Sequence, residues 1–241
     1  MKLLFMGLSL FGLTNTASPL PGQSKSSSSE VHRLLDSVAT AAAPDQYSIV
    51  RKLTRYPVQE FDQSAQKKIG DLLNPGQAHL REWVLLAGFL GLESHLKKLL
   101  TAEALPKTLQ QTIRFALVRC GDEQQLQKMM QKIRTIPVND DFADQLVPLL
   151  VYTRQKVVTD YLLELIQKDD RICTPADAET PGTINCAYRI MEYLAPVIRD
   201  FPLKLGGSGD LTVDNYPAAL ELVRAWILER KGAYALEDTT Y

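Results

Sequence analysis

The chain has 241 residues, a net charge of −1, 45% hydrophobic residues and 23% charged residues. This is the composition of a soluble globular protein with ample material for a core. It gives no support to nucleic acid as a partner or to a basic membrane-binding surface.

The N-terminus departs from that average. Lys2 precedes an apolar run from Leu3 to Leu13, and the small-residue stretch Thr14-Asn15-Thr16-Ala17-Ser18 follows. A short positive start, an apolar segment and small residues follow the plan of a secretory signal peptide. The run is about half of the roughly 20 residues that a membrane span needs. Cleavage is therefore expected after Ala17, which implies an exported protein, periplasmic or extracellular, with no integral membrane span after cleavage. Residues 18–29, rich in Ser, Pro and Gly, read as a flexible linker. Ser27 and Glu30 have the S-x-x-E spacing of a helix capping box.

From residue 30 to 168 the apolar period is helical almost throughout. Val31, Leu34, Leu35 and Val38 form one stripe. Leu80, Trp83, Val84 and Ala87 form another, followed by Leu92, Leu96, Leu99 and Leu100. Leu109, Ile113, Ala116, Leu117 and Cys120 come next, then Leu126, Met129, Met130 and Ile133. Phe142, Leu146, Leu149 and Leu150 precede Val158, Tyr161, Leu162 and Leu165. Each stripe puts side chains on one helix face. Leu96, Leu117, Leu126 and Leu149 are expected to be buried between helices. Pro75, Pro106 and Pro217 are expected at first helical turns, and Gly91 and Gly121 at tight turns between helices.

The stripes repeat. Leu86–Leu100 aligns with Ala116–Met130 at an offset of thirty residues, and a third copy begins near Leu149. Helix–turn–helix units at such a period are the mark of a helical solenoid. The units at 80–100, 109–133 and 142–166 resemble those of the HEAT-repeat class, and Pro148 echoes the proline often found in the first helix of that class. The resemblance implies an all-α fold of antiparallel helix pairs stacked as a short HEAT-like α-solenoid, a curved scaffold that binds other macromolecules. It does not imply chemistry.

Residues 169–235 read differently, as an atypical terminal unit with helices at about 184–199 and 216–230, and 236–241 read as a tail. The long polar loop 169–184 and a second loop at 202–215 frame the first of these helices. The chain has three cysteines. Cys120 lies on an apolar stripe and is expected to be a buried thiol. In an oxidising compartment Cys173 and Cys186, one at each end of the long loop, are expected to form a disulfide that tethers it.

Chemical motifs are sparse. Ser64–Lys67 and Ser94–Lys97 match S-x-x-K, without the companion motifs of serine acyl-transferases. His32, His79 and His95 are isolated, so no metal is expected of them, and surface positions are the natural reading. Gly206-Gly207-Ser208-Gly209-Asp210 has its aspartate one position early for a calcium nonapeptide. Asp169, Asp170, Asp177 and Glu179 lack EF-hand spacing. No catalytic residue and no cofactor is expected. The expected activity is binding or scaffolding of a protein partner, with Gln124, Gln125, Lys128, Gln131 and Lys132 as the partner surface. The alternatives are an exported enzyme with an active site dispersed over several helices, and a helical domain that binds a small ligand or polysaccharide.

Overall fold

The computed structural model describes residues 23–103, 105–169, 172–175, 181–207, 209 and 211–237. Over these residues the fold is all-helical. The helices are α1 (Gln23–Val38), α2 (Ala43–Leu53), α3 (Gln63–Asp71), α4 (Leu80–Phe89), α5 (Glu93–Leu100), α6 (Lys107–Arg119), α7 (Glu123–Ile133), α8 (Val147–Tyr152), α9 (Lys156–Ile166), α10 (Ala187–Leu194) and α11 (Tyr216–Arg230). No strand forms among the described residues, and the extended pairing there is confined to isolated bridges at Cys173–Ile184, Ile198–Leu236 and Leu205–Leu211.

The expected signal peptide and residues 18–22 of the expected linker lie outside the described residues. The rest of that linker is helical, because α1 starts at Gln23. Ser27 is thus inside the helix rather than at its cap, and Glu30 pairs with Arg33 one turn on. A serine costs only about 0.5 kcal/mol relative to alanine inside a helix. Burial of Val31, Leu34, Leu35 and Val38 against α2 and α3 outweighs that.

The expected turns at Gly91 and Gly121 form, and they are alike. Both glycines have positive φ, +73° and +96°. In the first turn the Gly91 and Leu92 amides donate to the carbonyls of Gly88 and Ala87, at 3.2 and 2.9 Å. In the second, Gly121 and Asp122 donate to Val118 and Leu117, both at 3.0 Å. This is the Schellman arrangement, in which a left-handed residue satisfies the last carbonyls of a helix. The third turn places Arg154 in the same left-handed region, at φ 53°. There the guanidinium is anchored, with Nη1 donating to the Val151 carbonyl at 2.6 Å and Nε to the Glu237 carbonyl at 3.0 Å. Pro106 and Pro217 sit at helix starts as expected. Pro75 does not: it lies in the turn between α3 and α4, and α4 starts at Leu80 after His79 in the left-handed region.

Helices two apart in sequence touch: α2 meets α4, α4 meets α6, α6 meets α8, and α8 meets α10. Each of α4, α6, α8 and α10 also touches the helix that follows it. The buried side chains fall into two principal clusters. The first holds α1 to α5 together with Ile113, Ala116 and Leu117 of α6 and Tyr152 of α8. The second holds Phe115 of α6 with α8 to α11. Leu96 and Leu117 are buried as expected, whereas Leu126 and Leu149 are half-buried.

Cys173 and Cys186 are joined by the expected disulfide, buried against Ala143. The bridge closes a loop whose base is paired by reciprocal hydrogen bonds between Cys173 and Ile184, at 3.2 and 2.8 Å. Asp140 fastens the same loop from outside. Its carboxylate accepts from the Thr174 amide at 3.0 Å and hydroxyl at 2.8 Å, and it pairs with Arg189 at 2.9 Å. Of the expected tail, Leu236 and Glu237 are held in place. Arg199 pairs with the Glu237 carboxylate at 2.8 Å, and the Glu237 amide donates to Val197 at 2.8 Å.

Candidate partner-binding groove

Helix α7 begins because Asp122 caps it, its carboxylate accepting from the Gln125 amide at 3.0 Å. That hydrogen bond, with help from Lys97 at 3.1 Å, holds the Asp122 carboxyl below the usual carboxylate range. The helix that follows has a sharply apolar face, yet of its eleven residues Ile133 alone is buried. Leu126, Met129 and Met130 remain half-buried. The apolar side of α7 is thus incompletely covered.

What it faces is a hollow of about 640 Å³ between α6 and α7. Phe115, Met129, Ile133, Ile136 and Leu146 line its apolar part. Lys107 and Arg114 come from α6, and Lys128 and Lys132 from α7. Gln110, Gln111 and Gln125 complete the polar lining, which contains no carboxylate. The side chains of Lys107, Arg114, Lys128 and Lys132 make no hydrogen bond or ion pair among the described residues, and all four residues are exposed. Other cations of the fold are paired, among them Lys97 with Asp122, Lys156 with Asp160 and Arg189 with Asp144, while Arg51 and Lys67 are unpaired among the described residues, like the four in the groove. Four unpaired like charges without counter-charges give this part of the surface a positive potential.

A second hollow of about 660 Å³ adjoins the first and shares Gln111, Ile136 and Leu146 with it. Its lining includes Asp141 and Asp144 together with Arg81, and Asp144 is already paired with Arg189, so the unpaired positive charge is concentrated in the first hollow. Its wall is a π-helical turn at Phe142–Leu146, which leads into α8 at Pro148. A proline here has no N–H and crowds the preceding turn, and a wider turn relieves that crowding.

The structure therefore brings together three of the five residues expected to form a partner surface. Gln125, Lys128 and Lys132 line the groove, while Gln124 and Gln131 are exposed on α7 but do not line it. The α6 rim was missed. Lys107, Gln110, Gln111 and Arg114 recur at i, i+3, i+4 and i+7, the same spacing that marks an apolar stripe, and a search for polar stripes would have found them.

The other motifs do not converge. Ser64 and Lys67 are both exposed. Lys97 turns to Glu93 and Asp122 rather than to Ser94. The histidines are half-buried rather than solvent-facing, because each meets the neighbouring structure. His32 pairs with Asp62 at 2.9 Å, His79 bonds the Ala43 carbonyl at 2.8 Å, and the ring of His95 lies over Gly70. Cys120 is free and half-buried, not fully buried as expected. It donates to the Gly88 carbonyl at 3.6 Å, and burial pushes its thiol up to about 11, which suppresses the nucleophilic thiolate. Asp170, Asp177, Glu179, Ser208 and Asp210 lie outside the described residues. Among those described, no group of three or more His, Cys, Asp or Glu could hold a metal, and no helix is long and apolar enough to cross a membrane.

Comparison of the chain with family models, with curated proteins and with solved structures finds no match.

Proposed function

We propose that the chain is an exported helical-repeat module that binds a protein partner, its helix pairs stacked as a short HEAT-like α-solenoid. Support for the stacking comes from the contact order α2–α4–α6–α8–α10, from the shared turn geometry at Gly91 and Gly121, and from a left-handed residue, Arg154, at the corresponding third turn. Support for export comes from the Cys173–Cys186 disulfide, which persists in oxidising compartments, together with the signal-like N-terminus. The observation that carries the binding reading is the α6–α7 groove, where four unpaired cations surround apolar side chains left partly open. A binding surface is where such a combination of uncovered apolar area and uncompensated charge has a use.

The test is site-specific photo-cross-linking in the native compartment. A photoreactive residue in place of Gln125 is expected to capture a discrete protein, and one in place of the exposed Arg51 on α2 is not. Equal capture from both positions, or none from the groove, would overturn the reading.

A further inference from the structure

The groove's chemistry narrows its occupant, an inference that rests on the binding reading above. We propose that the α6–α7 groove takes an acidic, amphipathic protein segment, its carboxylates pairing with Lys107, Arg114, Lys128 and Lys132 and its apolar side chains settling over the half-buried Met129 and Ile136.

Charge complementarity is the first argument. The lining offers four cations and no carboxylate, and none of the four is neutralised by another described residue. The second argument is the mixture of groups. Glutamine side chains both donate and accept, which suits the amides and carbonyls of a polypeptide. Gln110 already donates to the Leu105 carbonyl at 2.9 Å, which leaves its carbonyl oxygen to accept. A nucleic acid would call for exposed aromatic faces on which bases stack. Phe115, the one aromatic residue in the lining, is 3% exposed. The apolar contribution is aliphatic and thioether, as side chains such as Leu or Val require.

The dimensions set the length of the acidic run. Lys107 and Arg114 are seven residues apart on α6, about 10 Å along the axis, and Lys128 and Lys132 are about 6 Å apart on α7. Two helical turns of the partner, or about three extended residues, span this stretch. Beyond Gln111 the lining carries Asp141, Asp144 and Arg81, with Asp144 paired to Arg189, so the excess positive charge ends there. The partner's acidic run is therefore matched to the first hollow, where the four unpaired cations lie.

The probe is a synthetic peptide of about 14 residues, four helical turns, with Glu and Leu placed so that a helix presents both. Binding is read by fluorescence anisotropy with the full exported chain. Saturable binding is expected, weakened by added salt and weakened about tenfold by Lys128→Glu combined with Lys132→Glu. Arg114→Glu is expected to act in the same direction, and Arg51→Glu to leave binding unchanged. All these positions are exposed, and unchanged circular dichroism verifies folding. The proposal is overturned if the double variant binds the peptide as the parent does, or if a Lys/Leu peptide binds as well. It is also overturned if vesicles of anionic phospholipid bind more tightly than the peptide, or if the groove closes on a second copy, seen as self-association that the double variant abolishes. A cross-linked partner whose captured segment is neutral or basic would refute the acidic occupant and leave the binding module intact.

Discussion

The Tyr152 hydroxyl donates to the carbonyl oxygen of Leu85 at 2.6 Å, across 67 residues of chain. It reaches that oxygen over Gly88, where a Cβ would lie 2.2 Å from the hydroxyl and 2.7 Å from the Cβ of Ala116. A glycine inside a helix ordinarily weakens it by about 1 kcal/mol. Here it permits α4 and α6 to approach and lets α8 reach α4.

Gly88→Ala is therefore expected to lower stability by about 1–3 kcal/mol, against the sign of helix propensity. Thermal or denaturant unfolding measures this. Combining it with Tyr152→Phe is expected to restore part of the loss. An unchanged or raised melting temperature for Gly88→Ala would show that the close approach is not a constraint.

Phe89, Arg119 and Tyr152 occupy the same place before the three repeated turns. The Arg119 guanidinium lies 5.6 Å from both ring centroids, and its Nη1 donates to the Tyr152 carbonyl at 2.7 Å. Arg119→Met keeps the aliphatic bulk and loses the charge and the donor. The expected cost is about 1–3 kcal/mol, combining a partly buried hydrogen bond with the cation–ring contacts. A cost within error of zero in urea unfolding would leave this stack without energetic weight.

Under unfolding but unreduced conditions a thiol reagent is expected to label Cys120 and neither Cys173 nor Cys186. Cys173→Ser combined with Cys186→Ser is expected to cost roughly 3 kcal/mol in the chain-entropy picture for a loop of this size. Mass spectrometry of labelled peptides decides the first part and denaturant unfolding the second.

Hydrogen bonds from the Thr174 amide and hydroxyl, with Arg189 adding to them, hold the Asp140 carboxyl below its ordinary value. A carboxylate depressed on folding stabilises the fold above its unfolded pKa, near 3.9, and loses that contribution as pH falls through the folded value. Asp140→Asn is thus expected to lower the melting temperature near neutrality, with the difference from the parent shrinking below about pH 4. A difference that persists undiminished in acid would mean that charge at Asp140 is not what fastens the loop.

The helical class was legible because apolar stripes report burial directly, and the Gly91 and Gly121 turns because only a residue without Cβ enters the left-handed region freely. The disulfide was legible once Cys120 was placed on a stripe. Other features depend on contacts between distant segments. The residue type does not mark Arg154 for a left-handed turn, and its guanidinium is tied both to the nearby Val151 carbonyl and to the distant Glu237 carbonyl. The serines ahead of Val31 look like linker because their helix is carried by what Val31 and Leu34 pack on. Leu126 and Leu149 follow the same stripe pattern as Leu96 and Leu117, and periodicity does not reveal that Leu149 borders an open hollow or that Leu126 is only partly covered by the second cluster. The α6 side of the groove is a polar stripe, Lys107, Gln110, Gln111 and Arg114, and polar spacing alone does not distinguish a rim from an ordinary solvated face.

Helix α6 sends Ile113, Ala116 and Leu117 into one buried cluster and Phe115 into the other. Neither cluster can melt while α6 stays folded for the other's sake without exposing side chains on which both depend. Calorimetry on heating should accordingly record one heat-absorption peak, whose calorimetric and van't Hoff enthalpies agree, rather than two successive ones.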